Sequence, residues 1–161
     1  VARVRDSSGM QVRIERRRDP AAVERLLRAL PDWFGIEESL REYVDDAATK
    51  PTYLAVVDDD VVGALLVTRH FPGSAEMHLL AVDPRHHRAG IGRSLVEAFE
   101  ADMRADGVRL LEVKTQGPSR PDEHYARTLQ FYLALGYEPL EELLDHWPGN
   151  PCLILVKVLA G

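Results

Sequence analysis

The stretch from residue 75 to residue 115 narrows the fold more than any other part of the chain. Ala75 to Val82 reads as a strand, and Pro84 ends it. Gly90 to Ala105 reads as a helix, with Ile91, Leu95, Phe99 and Met103 near a four-residue period. Gly107 closes the helix, and Val108 to Thr115 is apolar enough to predict a strand buried on both faces. A strand, a helix and a second strand in that order call for a right-handed parallel crossover.

The flanking segments call for antiparallel strands. Gln11 to Glu15 predicts a short first strand, and Asp19-Pro20 supplies an N-cap and a first helical residue. Val23, Leu26, Leu27 and Leu30 follow at helical spacing up to Pro31, and a second helix is expected from Glu37 to Ala47. Tyr53 to Val57 and Val61 to Arg69 form a hairpin around Asp58-Asp59-Asp60, which reads as a solvated turn rather than a metal site. A Pro/Gly/Ser-rich loop from Gly117 to Asp122 leads into a helix ending at Leu135, with Gly136 as its C′ residue. Tyr137 to Leu140 and Cys152 to Val158 are the last strands, joined by a loop with Trp147, Pro148 and Pro151. The expectation is one α/β domain over residues 11–161, with a mixed sheet of six or seven strands and four helices. Residues 1–10 are set aside as a flexible leader.

Composition excludes several function classes. With a net charge of −6 the molecular field gives no reason to expect a nucleic-acid partner. Arg16, Arg17 and Arg18 are the one compact basic run, best read as a solvated strand end. No apolar run approaches the ~18 residues of a membrane span, so no membrane partner is expected. The single cysteine, Cys152, excludes an internal disulfide and sits in an apolar run as a buried thiol. A reducing cytoplasm is the expected location.

Chemistry is concentrated between strand 75–82 and the following helix. The turn His87-Arg88-Ala89-Gly90-Ile91-Gly92-Arg93-Ser94 opens a helix on a Gly-x-Gly. Such a turn leaves backbone N–H groups unpaired at the positive end of the helix dipole. Glycine lets a bulky anion approach the backbone. The combination suits a pyrophosphate, with Arg88 or Arg93 adding charge-assisted hydrogen bonds. A dinucleotide fingerprint would need glycine where Leu95 stands, and no Gly-Lys-Ser/Thr follows for a P-loop.

This loop resembles the acetyl-CoA loop of the GNAT acetyltransferases, Gln/Arg-x-x-Gly-x-Gly/Ala after a strand, matched from His87 to Gly92 with histidine at the first position. A second motif of that family, an aromatic pair, three residues and Gly-aromatic, is matched by Phe131-Tyr132-Leu133-Ala134-Leu135-Gly136-Tyr137. The similarity spans about residues 12–159. It implies a GNAT fold and transfer of acetyl from acetyl-CoA to a primary amine of a small molecule or peptide, without a metal. It also implies that pantetheine lies along Leu80, Ala81 and Val82 as an added pseudo-strand. Tyr125, where the family often has asparagine, and Phe131 join the expected cofactor contacts. Pairing into a homodimer through sheet edges is a further expectation of the resemblance.

Direct transfer to an amine poses two proton problems: the ammonium must lose a proton, and the departing thiolate benefits from gaining one. The resemblance points to Tyr132 as the general acid near the sulfur; the residues alone read it as a packed helix aromatic sharing a face with Leu129 and Leu133. For the base, strand alternation places Glu76, His78, Leu80 and Val82 on one face. Glu76 stands where several family members carry a catalytic glutamate, and His78 has a suitable intrinsic pKa. Direct or water-mediated action by Glu76, action by His78, and a hydrogen-bonding role for both all stay open. The acceptor would be lined by Trp33, Phe34, Tyr43 and Trp147, each of which also fits a core role. A non-catalytic acyl-CoA-binding module is the alternative from another class, since a binder needs only the cradle.

Overall fold

The computed structural model describes residues 2–5 and 9–160 and follows the expected element order, with one strand added at the front. Contacts divide the chain into two compact units, Val1–Thr68 with His78–Met103, and Arg69–Met77 with Arg104–Gly161. The strands pair in the order β1-β2-β3-β4-β5-β6-β8-β7. Among the described residues there are eight strands and four α-helices, an α/β fold with one strand more than expected. The extra strand is β1, Ala2–Arg5, which pairs antiparallel with β2, Gln11–Arg16. Residues 1–10 are therefore not simply a leader; residues 1 and 6–8 of that stretch lie outside the described residues.

In the first unit, helix α1 (Pro20–Arg28) starts as the sequence predicts. Asp19 accepts a hydrogen bond from the Ala22 amide at 3.0 Å, and Pro20 needs no acceptor. The apolar face of α1 packs with Leu40 and Ala47 of α2 (Glu37–Ala47) over Leu54 of β3 (Thr52–Val57), Ala64 and Leu66 of β4 (Asp60–Phe71), and Leu79 and Ala81 of β5 (Ser74–Val82). Asp58 and Asp59 both take positive φ, 47° and 67°, which makes the two-residue β3–β4 turn one that follows the right-handed strand twist. A short 3-10 turn, Pro84–His86, leads from β5 to helix α3 (Ile91–Ala105). A Cβ on Gly63 of β4 would stand 3.0 Å from Leu95 and 3.2 Å from Ile91, so the first turn of α3 packs closely on β4 because no side chain intervenes. Asp102 of α3 is gripped by Arg16 at 2.6 and 3.0 Å and accepts from the Tyr53 hydroxyl at 2.7 Å. The Arg16 guanidinium holds the Asp102 carboxyl below the usual carboxylate range.

In the second unit, β5 runs parallel to β6 (Leu110–Gln116) over Ser74–Met77 and Leu110–Val113, the crossover the sequence required. β6 is not buried on both faces. Leu111, Val113 and Thr115 are buried while Leu110, Glu112, Lys114 and Gln116 are not, because the charged residues alternate with the apolar ones. Helix α4 (Glu123–Ala134) is capped by Asp122, which accepts from the amides of His124 and Tyr125. Gly136, at φ 89°, ends it: its amide donates to Leu133 O and that of Tyr137 to Tyr132 O. β7 extends over Glu138–Trp147, well beyond Leu140, and pairs with β8 (Asn150–Val158), so Trp147 ends a strand rather than sitting in a loop. β8 buries Cys152, and burial pushes its thiol pKa up. The 117–122 loop is tied to β7 by Glu142, which accepts from the Ser119 amide and hydroxyl.

Candidate active site

The segment between β5 and α3 is built to leave donors open. Asp83 accepts from the Arg85 amide at 2.9 Å and from the Arg85 guanidinium at 3.1 and 2.8 Å, fixing the exit from β5. The same guanidinium holds the Asp83 carboxyl below its ordinary range. Arg88 and Gly90 then take positive φ, 62° and 83°, which turns the chain into the helix. The Ser94 amide and hydroxyl both donate to Gly90 O at 3.0 Å. The amides of Gly90, Ile91, Gly92 and Arg93 precede any helical acceptor and have none among the described residues. Four successive open donors at the start of a 15-residue helix are suited to an anion of several oxygens.

His87 is more than a variant of the expected glutamine or arginine. Its Nε2 lies 2.8 Å from Val82 O, and since a carbonyl only accepts, Nε2 carries the proton. The end of β5 and the loop are thereby clipped together. Part of the main-chain capacity expected at Val82 for pantetheine is already used by this bond. Leu79 and Ala81 are buried in the core, whereas Leu80 and Val82 are only half-buried. The β5–β6 ladder ends at Met77 and Val113, so His78 to Val82 run on past it.

Three of the four expected acceptor-lining residues gather in the first unit. The Trp33 ring meets His87 edge-on at 5.7 Å. Phe34 meets Tyr43 edge-on at 5.8 Å, and Tyr43 lies 5.4 Å from His78 at a tilt of 58°. All three pack half-buried against the core, which is the core role the sequence allowed. Trp147 belongs to the second unit, where its ring meets His146.

Glu76 and His78, two residues apart on β5, have separate partners. His78 Nε2 lies 2.7 Å from Asp46 Oδ2, at the end of α2. Glu76 is buried; its Oε1 lies 2.9 Å from His70 Nε2 and its Oε2 accepts from Lys114 Nζ at 3.0 Å. Lys114 reaches Glu112 at 3.0 Å as well. Burial pushes the Lys114 pKa down, but the hydrogen bonds it donates to Glu112 and Glu76 outweigh it and the net direction is up. His70, Glu76 and Glu112 lie close enough together to suggest metal ligands. Lys114 already supplies the positive charge between the two carboxylates.

Asp46, His70, Glu112 and Lys114 surround the candidate residues His78 and Glu76 and were not singled out from the sequence. The one signal for Asp46 was an Asp45-Asp46 pair in the last turn of a helix, where the dipole disfavours carboxylates. Tyr132 is buried in α4, with Phe131 at 5.4 Å and Tyr137 at 5.9 Å between ring centroids. Tyr125 stands seven residues earlier, two turns back on the same face. Leu133, expected to share the packed face, is 38% exposed.

The sequence profile of the acetyltransferase (GNAT) family matches residues 20–137. The chain belongs to that family and is an acetyl-CoA-dependent acetyltransferase. Among solved structures it is similar to a GNAT-family protein from Desulfovibrio desulfuricans, with 26% identity, 92% of this chain and 99% of that one covered, and a TM-score of 0.78. The ribosomal-protein-S18-alanine N-acetyltransferase from Escherichia coli shares the fold at 16% identity, with 93% and 96% covered and a TM-score of 0.75. So does a GNAT acetyltransferase from Elizabethkingia anophelis with acetyl-CoA bound, at 17% identity, 92% and 98% covered, and a TM-score of 0.71. No curated protein sequence matches the chain.

Proposed function

We propose that the protein transfers the acetyl group of acetyl-CoA to a primary amine of a small molecule or peptide, by direct attack within a ternary complex. The observation that carries this reading is the run of open amides from Gly90 to Arg93 at the start of α3. These groups hold the diphosphate, with the side chains of Arg88 and Arg93 beside them and His87, Ala89 and Ser94 shaping the turn. Pantetheine follows the main chain of Leu80, Ala81 and Val82, where β5 has left its ladder with β6. Tyr125 and Phe131 of α4 complete the donor contacts.

In the transfer, the amine nitrogen attacks the thioester carbonyl after losing a proton to a base, the C–S bond breaks, and Tyr132 gives its phenolic proton to the departing sulfur. Glu76 and His78 are the candidate bases. Trp33, Phe34, Tyr43 and Trp147 line the acceptor, and the carboxylates of the acidic chain favour a cationic one. The Escherichia coli relative acetylates the alanine of ribosomal protein S18, which is a peptide amine. A cytoplasmic enzyme, with a homodimer formed through sheet edges, completes the proposal.

The test is thiol release from acetyl-CoA over a panel of spermidine, lysine, kanamycin and an alanine-initiated peptide. Release with at least one amine, absent without protein, is expected. Calorimetric binding of acetyl-CoA with no release from any amine would instead identify a binding module.

A further inference from the structure

We infer that Asp46 is a positioning residue for His78, and that the Asp46–His78 pair takes the proton from the attacking ammonium. This rests on the acetyl-transfer reading above and assigns its base. A carboxylate can only accept, so the 2.7 Å contact fixes the proton of neutral His78 on Nε2. Nδ1 is then the basic nitrogen, and no hydrogen bond engages it among the described residues. Tyr43, one turn before Asp46 on α2, lies against the same imidazole and limits its rotation. Asp46 and Tyr43 of α2 contact the His78 ring, and Glu76 stands two residues before it on the same face of β5.

The setting of Asp46 is unusual for a structural residue. It lies in the last turn of α2 beside Asp45, with no basic residue in that turn, where the partial negative charge of the helix end opposes both carboxylates. An imidazolium formed at His78 during proton transfer meets the carboxylate and the helix end together, so the unfavourable charge of the resting state becomes favourable when the proton arrives. His78 and Asp46 keep 25% and 35% of their side-chain surface, which leaves the pair open to solvent for proton release. Glu76 contrasts with this arrangement. Its side chain is 9% exposed, and both its oxygens are occupied, by Lys114 and His70. Among the described residues each of its oxygens is engaged by a neighbour, whereas Nδ1 of His78 is not.

The experiment compares wild type, Asp46→Ala, Asp46→Asn, His78→Gln and the Asp46→Ala/His78→Gln double variant. The readouts are acetyl-CoA affinity by calorimetry, thiol release with the best amine of the panel, and the histidine nitrogen-15 NMR spectrum. Removing Asp46 relieves the helix end, so no folding defect is expected, and retained acetyl-CoA affinity within twofold verifies the fold. Asp46→Ala is expected to lower kcat tenfold or more and to abolish the fixed Nε2–H signature of His78. The double variant is expected to be no slower than His78→Gln, because the two residues act as one unit. A loss in Asp46→Ala smaller than tenfold, or losses that multiply in the double variant, overturns the inference while leaving the transferase reading intact. If Asp46→Ala loses acetyl-CoA affinity, the near-isosteric Asp46→Asn carries the same test with the same limits. A wild-type protein that releases no thiol with any amine overturns both readings.

Discussion

At the scale of single residues, the two titratable side chains of β5 illustrate what a sequence carries. Alternation marks Glu76 and His78 as titratable groups on a strand that is otherwise mostly apolar, and both prove to be engaged. Their partners were not legible, because Lys114 is 38 residues from Glu76 and Asp46 is 32 from His78. Only strand register and helix packing bring such groups together. Glu76→Gln leaves the Lys114 ammonium with one carboxylate fewer in a half-buried setting. It is expected to cost about 1–3 kcal/mol in urea unfolding, and unchanged stability would contradict the bracing role. Tyr132→Phe removes one hydroxyl from a buried ring and keeps its packing. Turnover should fall by roughly 10²-fold with acetyl-CoA affinity nearly constant; equal turnover would refute the general-acid role.

At the scale of elements, local turn chemistry was the most readable part of the chain. Asp19-Pro20 starts α1 and Gly136 closes α4 as their residue types require. The long edge strand β7 was not readable past Leu140, because it is exposed along most of its length and carries no apolar alternation. Its pairing with β8 is what makes it a strand. Two glycines separate strain from function. Gly90 and Gly136 sit at φ 83° and 89°, so alanine at either should destabilise the fold by about 1–2 kcal/mol. Only Gly90→Ala should also weaken acetyl-CoA binding, by roughly tenfold or more, since only Gly90 belongs to the open run of amides. Calorimetry on the two variants side by side reads the difference; equal affinity in both would remove the loop from the donor site.

Across the whole molecule, 26 acidic residues stand against 20 basic ones, and several carboxylates are held by fixed partners. The Asp19 carboxyl is lowered first by the Ala22 amide, Asp83 by Arg85 and Asp102 by Arg16. A carboxyl whose pKa is depressed in the folded state binds fewer protons there than in the unfolded chain. It contributes stability above its unfolded value, near ~4, and that contribution is lost as pH falls through the folded value. Stability should therefore decline on acidification below about pH 4. Asp102→Asn should make that decline shallower in thermal melts across pH, and an unchanged slope would show that the Arg16 pair does not contribute. At this scale the element order, the mixed sheet and the parallel crossover were legible, because periodicity and turn residues agree along the chain. Strand β1 was not, since four residues leading into Asp6-Ser7-Ser8-Gly9 give too short a pattern to read a periodicity.

The central claim is that open peptide nitrogens at the start of α3 hold the diphosphate of acetyl-CoA. Calorimetric titration with acetyl-CoA and, in parallel, with S-acetylpantetheine, which keeps the thioester and lacks the diphosphate, tests it most directly. The account predicts clear binding of acetyl-CoA and a much weaker or absent signal for the truncated donor. Equal affinity for the two, or no binding of acetyl-CoA, would contradict it.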